Sequence, residues 1–245
     1  MFNTFVIALR EGIEASLIVG ILLAYLKKSG RTELLKSLWF GVFSAIGAAL
    51  LFGAILTFTR AELSDTAEKA FVGTTGLIAV SLVTWMIFWM KKTARFMKME
   101  LEQKASAAIS AGALSLAAFT AVVREGLETS LFLYANFAGN NPIGSTVGLI
   151  LGLTFAIAIG YGINKGALRF NLATFFRYSG AALVLVSANV LSYSLHELEE
   201  VGAFLGGSAN KIAAILYIAL VLPPYLSKPK PVAPSEVAKK ISLAK

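Results

Sequence analysis

The chain has 245 residues, 57% of them hydrophobic and 15% charged, with no cysteine, one histidine and a formal charge of +8. Soluble domains carry about a quarter charged residues, so this composition excludes an ordinary soluble protein, and the lack of cysteine excludes disulfides and thiolate metal sites. The positive charge lies mostly in short loops between apolar runs, so it is a matter of membrane topology and not of nucleic-acid binding.

A bilayer span needs about 20 apolar residues. Seven segments meet that length, at 2–26, 37–59, 70–90, 107–138, 143–164, 172–194 and 209–226. The expected fold is an all-α integral membrane protein with seven transmembrane helices. It forms a single transmembrane domain over 1–226, followed by a flexible cytoplasmic tail over 227–245.

The first segment is read as a span and not as a signal peptide. No basic stretch precedes it, and Arg10, Glu11 and Glu14 interrupt its apolar run. The loop after it carries Lys27, Lys28, Arg31 and Lys36. The loop after the third segment carries Lys91, Lys92, Arg95, Lys98 and Lys104. With the stretch after the fifth segment and the tail, these positions hold most of the lysine and arginine, while the alternate loops hold only Arg60, Lys69 and Lys211. The positive-inside rule therefore places the N-terminus outside and the C-terminus in the cytoplasm. The outward loops are acidic, with Glu62, Asp65 and Glu68 after the second segment and Glu197, Glu199 and Glu200 beside His196 after the sixth. Such a face concentrates cations, and these residues are candidates for outer capture of a metal ion.

Met86, Met90, Met97 and Met99 cluster toward the end of the third segment and read first as helix packing. The fourth segment is longer than a bilayer needs, which implies tilt or protrusion. In the fifth, Gly148 and Gly152 have the spacing of a close helix contact.

The main signal is a repeated pentapeptide, Arg10-Glu11-Gly12-Ile13-Glu14 in the first segment and Arg124-Glu125-Gly126-Leu127-Glu128 in the fourth. Residues three apart on a helix lie on one face about 4.5 Å apart in height, so each pair of glutamates projects together. Each arginine is spaced to pair with the second glutamate, four residues on. An ionisable group at the bilayer centre costs about 2.5–3.5 kcal/mol on insertion scales, and the chain places six such groups there in two copies of one motif. The two segments cross the membrane in opposite directions, so helices one to three and four to six are candidates for an inverted-topology repeat with a site at the midplane. Glu11, Glu14, Glu125 and Glu128 are then the candidate metal ligands, with Arg10 and Arg124 as supporting ion pairs and Thr129, Ser130, Tyr134 and Asn189 as possible neighbours. Carboxylates without soft ligands suit a hard cation. Arginine–glutamate pairs that only lock helices together, or a proton relay, remain alternatives.

Catalysis is not expected. A di-iron carboxylate site needs Glu-x-x-His pairs, and neither a zinc protease motif nor a phosphate-binding loop is present.

These residues resemble the iron permease family, which comprises the fungal high-affinity permeases coupled to a multicopper oxidase and the bacterial Efe-type transporters. The hallmark is Arg-Glu-Gly-x-Glu in helices one and four, present here twice. Thr84-Trp85-Met86-Ile87-Phe88-Trp89-Met90-Lys91-Lys92, Phe175-Phe176-Arg177-Tyr178-Ser179-Gly180 and His196-Glu197-Leu198-Glu199-Glu200 extend the similarity over about residues 1–226. Two stretches depart from it: Phe71-Val72-Gly73 lacks an acid, and Ser187-Ala188-Asn189 carries a bulkier amide. The resemblance implies import of iron, ferrous or ferric, as transported substrate, with the motif glutamates as ligands and no permanently bound cofactor. It also implies the plasma membrane as location and an extracytoplasmic iron-oxidising or iron-delivering protein as partner. Release inward would follow rocking of the two repeats or opening of a local gate.

Overall fold

Every one of the seven apolar segments forms a helix. The computed structural model describes residues 1–93, 97–107, 110–137, 142–164, 172–202 and 209–227, so the expected tail lies outside the described residues apart from Ser227. The helices are α1 (Phe2–Lys28), α2 (Leu35–Ala61), α3 (Asp65–Thr93), α4 (Met97–Ala107), α5 (Ala111–Phe137), α6 (Pro142–Asn164), α7 (Leu172–Glu200) and α8 (Ala209–Leu226). Five of them, α2, α3, α6, α7 and α8, are long and apolar enough to cross a membrane. The other two long helices, α1 and α5, are the two that carry the repeated pentapeptide.

Two features differ from the expected elements. The fourth segment is not over-long, because Ser110 starts α5: its Oγ accepts from the amide of Ala113 and its carbonyl from that of Leu114. This is the N-cap role of a serine, and it leaves α5 at 27 residues, the same as α1. The basic loop before it contains α4, which the apolar pattern does not reveal. Leu101 and Ala105 are buried one turn apart against Ile18, Leu22 and Leu26 of α1, and Arg31 Nη1 donates to the carbonyl of Ala105 at 3.2 Å.

The surface is inverted relative to a soluble protein. Phe40, Phe43, Leu50, Leu51 and Phe58 stand exposed along α2, while Arg10 and Glu14 are among the largest fully buried side chains. Hydrocarbon as solvent explains both halves of that inversion, since it rewards exposed apolar groups and penalises exposed charge.

Small residues decide which helices touch. α1 runs parallel to α6, with Thr4, Ala8, Gly12 and Ser16 meeting Gly148, Gly152, Ala156 and Gly160 in turn. A methyl group on Gly152 would stand 2.7 Å from the carbonyl oxygen of Phe5, so only glycine permits that approach. α2 runs parallel to α5 through Gly41, Ala49 and Gly53, which meet Ser115, Gly126 and Ser130, and Ser130 Oγ donates to the carbonyl of Ala49 at 2.9 Å. α3 and α7 pack antiparallel, with Gly73 against Leu198 and Gly76 against Ser194. α7 ends in Gly202 at φ +75°, a left-handed stop suited to glycine. α8 leans on α3 and α7, and its final carbonyls are capped by Lys91 on Pro224 and Arg177 on Leu226.

Candidate metal centre

The interior of the bundle holds the ionisable groups of both pentapeptides. Oxygens of Glu11, Glu14 and Glu125 all lie within 4.8 Å of one another, the only such group of three acidic or imidazole ligands among the described residues. The three glutamates are 4%, 1% and 6% exposed. Glu128, the fourth expected ligand, stands just outside this group: Arg124 Nε donates to its Oε1 at 3.0 Å. Glu11 Oε2, Glu125 Oε2 and Glu128 Oε2 are buried without a hydrogen-bond partner, and Glu14 Oε1 has only its ion pair with Arg10. Buried acceptors in native proteins are nearly always satisfied. Three carboxylates from two helices, gathered within 4.8 Å of one another, are a set of hard oxygen donors of the kind that can hold a cation.

The arginines complete the charge pattern differently in the two copies. Arg10 is 1% exposed. Its Nη1 donates to Glu11 Oε1 at 2.8 Å, and its Nη2 lies 3.0 Å from Glu14 Oε1. The same Nη2 donates to the sulfur of Met86 on α3 at 3.0 Å. Arg124 has 31% of its side chain exposed and lies 4.0 Å from Glu125 as well as 3.0 Å from Glu128. Its guanidinium sits 4.3 Å from the ring centroid of Trp89 and 5.9 Å from that of Trp85, a cation–π arrangement. The spacing of the motif pairs each arginine with its second glutamate; Arg10 in addition holds the first. Neither Met86 nor the two tryptophans is predicted as part of this environment: in the sequence they read only as helix packing and as part of the stretch that resembles the family.

Of the expected neighbours, Thr129 and Ser130 donate to helix carbonyls at Glu125 and Gly126. Tyr134 is buried with its hydroxyl unpartnered, while Asn189 is exposed on α7.

The acidic residues expected at the outer mouth gather where α2 ends, α3 begins and α7 ends. They are partly spent on one another's cations. Arg60 holds Glu68 at 2.7 Å, Lys69 pairs with Glu200, and His196 Nε2 lies 3.2 Å from Glu200 Oε1. Glu197 shares a hydrogen bond with Tyr193. Glu62 and Asp65 are exposed, and Glu199 is half-buried.

The family model described as "Iron permease FTR1 family" matches residues 1–217. The chain belongs to the iron permease FTR1 family. Among relatives of this permease, "Ferrous iron permease EfeU" from Escherichia coli O6:K15:H31 is 36% identical over 207 residues, covering 82% of this chain and 75% of that protein. The protein of the same name from Shigella sonnei matches equally, and that from Yersinia pestis is 35% identical, with 73% of its length covered. No solved structure matches the chain significantly. Family membership together with the apolar helices makes this a multi-pass membrane protein of the iron permeases, with iron ions as its transported substrate.

Proposed function

We propose that this permease imports iron across the cytoplasmic membrane through a midplane site formed by Glu11, Glu14, Glu125 and Glu128. The observation that carries the reading is the convergence of three carboxylates from two separate pentapeptides in a buried position. With all six groups ionised, four glutamates against Arg10 and Arg124 leave a net charge suited to a divalent cation. The two arginines keep the empty site tolerable in a low-dielectric interior, where unpaired charge is costly.

In this reading α1 and α5 are spans like the other five. Arg10, Glu11, Glu14 and Glu125 are buried, and the partly exposed Arg124 lies against the rings of Trp85 and Trp89. The N-terminus is outside, residues 1–226 form one seven-helix domain, and the tail from 227 is cytoplasmic. Helices α1 to α3 and α5 to α7 form an inverted repeat, with α4 as the link. The small-residue contacts support this in register. The positions Gly148, Gly152, Ala156 and Gly160 on α6 recur as Gly41, Ala45, Ala49 and Gly53 on α2, and Gly12 meets Ala156 as Gly126 meets Ala49.

Glu62 and Asp65 are the first points of outer capture, with Glu68, His196, Glu197, Glu199 and Glu200 behind them in ion pairs and hydrogen bonds. An inside-negative potential favours entry by about 2.3 kcal/mol per charge per 100 mV. No resident cofactor is required, and an external protein that oxidises or delivers iron is the partner to seek.

The test is uptake of radioactive iron into proteoliposomes under an imposed inside-negative potential, with ferrous and ferric forms side by side. Saturable uptake that disappears in Glu11→Gln/Glu125→Gln supports the site. Undiminished uptake by that variant, shown to be folded, sinks it.

A further inference from the structure

The carboxylates alone are hard donors and do not distinguish iron from manganese, calcium or magnesium by ligand type. One soft donor stands beside them. Met86 is fully buried (0% exposed), and its sulfur lies 3.0 Å from Arg10 Nη2, the atom that also lies 3.0 Å from Glu14 Oε1. That nitrogen therefore occupies a point between a thioether and a carboxylate. A cation taken up by Glu11 and Glu14 competes for the oxygens that hold Arg10, so the guanidinium must yield as the ion arrives. Its Nε has no partner to retain it.

Arg10 borders an open groove of about 460 Å³ between α1 and α7, lined by Val6, Leu9, Phe175, Tyr178 and Ser179. The Ser179 hydroxyl is buried without a hydrogen-bond partner. Were Arg10 to swing toward Ser179, the Met86 sulfur would be left beside the carboxylates.

We propose that Met86 is the specificity-determining residue of this permease: its thioether joins the carboxylates around the ion and biases the site toward ferrous iron over the harder manganese, calcium, magnesium and ferric ions. The proposal rests on the glutamate site put forward above. Thioether sulfur favours borderline and soft metal ions and adds nothing for calcium or magnesium, so a single Met among carboxylates is a selectivity device more than an affinity device. Met86 also packs in the main apolar cluster, and a volume-conserving exchange there is tolerated.

The experiment uses reconstituted full-length protein under anaerobic, reducing conditions, with ferrous iron and manganese as transported probes and cadmium and calcium as competitors. The variants are Met86→Leu, Met86→Gln and Glu14→Gln, each checked for a monodisperse folded state. Both Met86 variants should lower the ratio of apparent affinities for ferrous iron over manganese by about tenfold, and cadmium should lose its advantage over calcium as a competitor. Glu14→Gln should lose uptake of both ions. Unchanged metal ratios in both Met86 variants overturn the proposal and leave the glutamate site standing. Wild-type uptake of both ions by Glu14→Gln overturns the site, and the role of Met86 with it.

Discussion

Removing the guanidinium of Arg10 strands Glu11 and Glu14 in the interior with no cation in reach on their own helix. The corresponding loss at Arg124 is milder, because that side chain is about a third exposed and divides its charge between Glu128 and the face of Trp89. Breaking a buried ion pair by deleting one partner costs about 3–5 kcal/mol, whereas partly exposed pairs contribute nearer 1 kcal/mol or less. Arg10→Ala should therefore lower the thermal midpoint of detergent-purified protein far more than Arg124→Ala. Equal shifts in a fluorescence-detected melt would show the two motifs to be energetically equivalent. This asymmetry is invisible in the pentapeptides, which differ only by Ile13 and Leu127. It arises from α3, which offers a sulfur to one arginine and an indole to the other. That Glu11, Glu14 and Glu125 gather in the interior was legible for the opposite reason: burying charge is so expensive in a membrane that its position alone draws notice. Met86 was not, since methionine is ordinary packing material and becomes chemistry only through what touches it.

At the scale of the helix, association in lipid gains little from apolar burial and depends on close backbone approach. Gly152 is such a point: a Cβ there would meet Ala8 Cβ and Phe5 O at 2.7 Å and the Leu9 amide nitrogen at 2.9 Å. Gly152→Ala must push α1 and α6 apart, at an overpacking cost of about 1–3 kcal/mol. Gly47, on the exposed side of α2, has nothing within 4 Å of the same position. Gly47→Ala should be neutral or gain up to about 1 kcal/mol from helix propensity. Comparing their melting temperatures, with the wild type between them, checks the packing directly. Helix existence was readable from segment length, but helix pairing was not: α2 and α6 are apolar on all sides, so no face announces its partner. The fours-spaced small residues hinted at contact for Gly148 and Gly152 without naming α1 as the surface met. α4 escaped notice because Leu101 and Ala105 are the only buried residues among its described side chains.

For the molecule as a whole, these pairings bear on how an ion would leave the proposed site. Glu11, Glu14 and Glu125 are at most 6% exposed, so release from that site requires helices to move. If the two repeats rocked as bodies, α2 of the first would slide against α5 of the second. Yet α2 and α5 interlock along their length, as α1 and α6 do, which ties the two halves of the proposed repeat together at two seams. The bodies suited to move are the mixed pairs α1/α6 and α2/α5, with α3 and α7 between the charged groups and the lipid. The chain has no cysteine, so a single engineered disulfide can decide between these motions. A Cβ on Gly53 lies 3.7 Å from that of Ser130, close to the mean for natural disulfides, about 3.8 Å. Gly53→Cys/Ser130→Cys should crosslink on mild oxidation and retain iron uptake within about twofold of the reduced form, because the bond ties together parts that already move as one. Uptake lost on oxidation and restored by a reductant would mean that α2 and α5 separate in each cycle, and that the repeats themselves are the moving bodies.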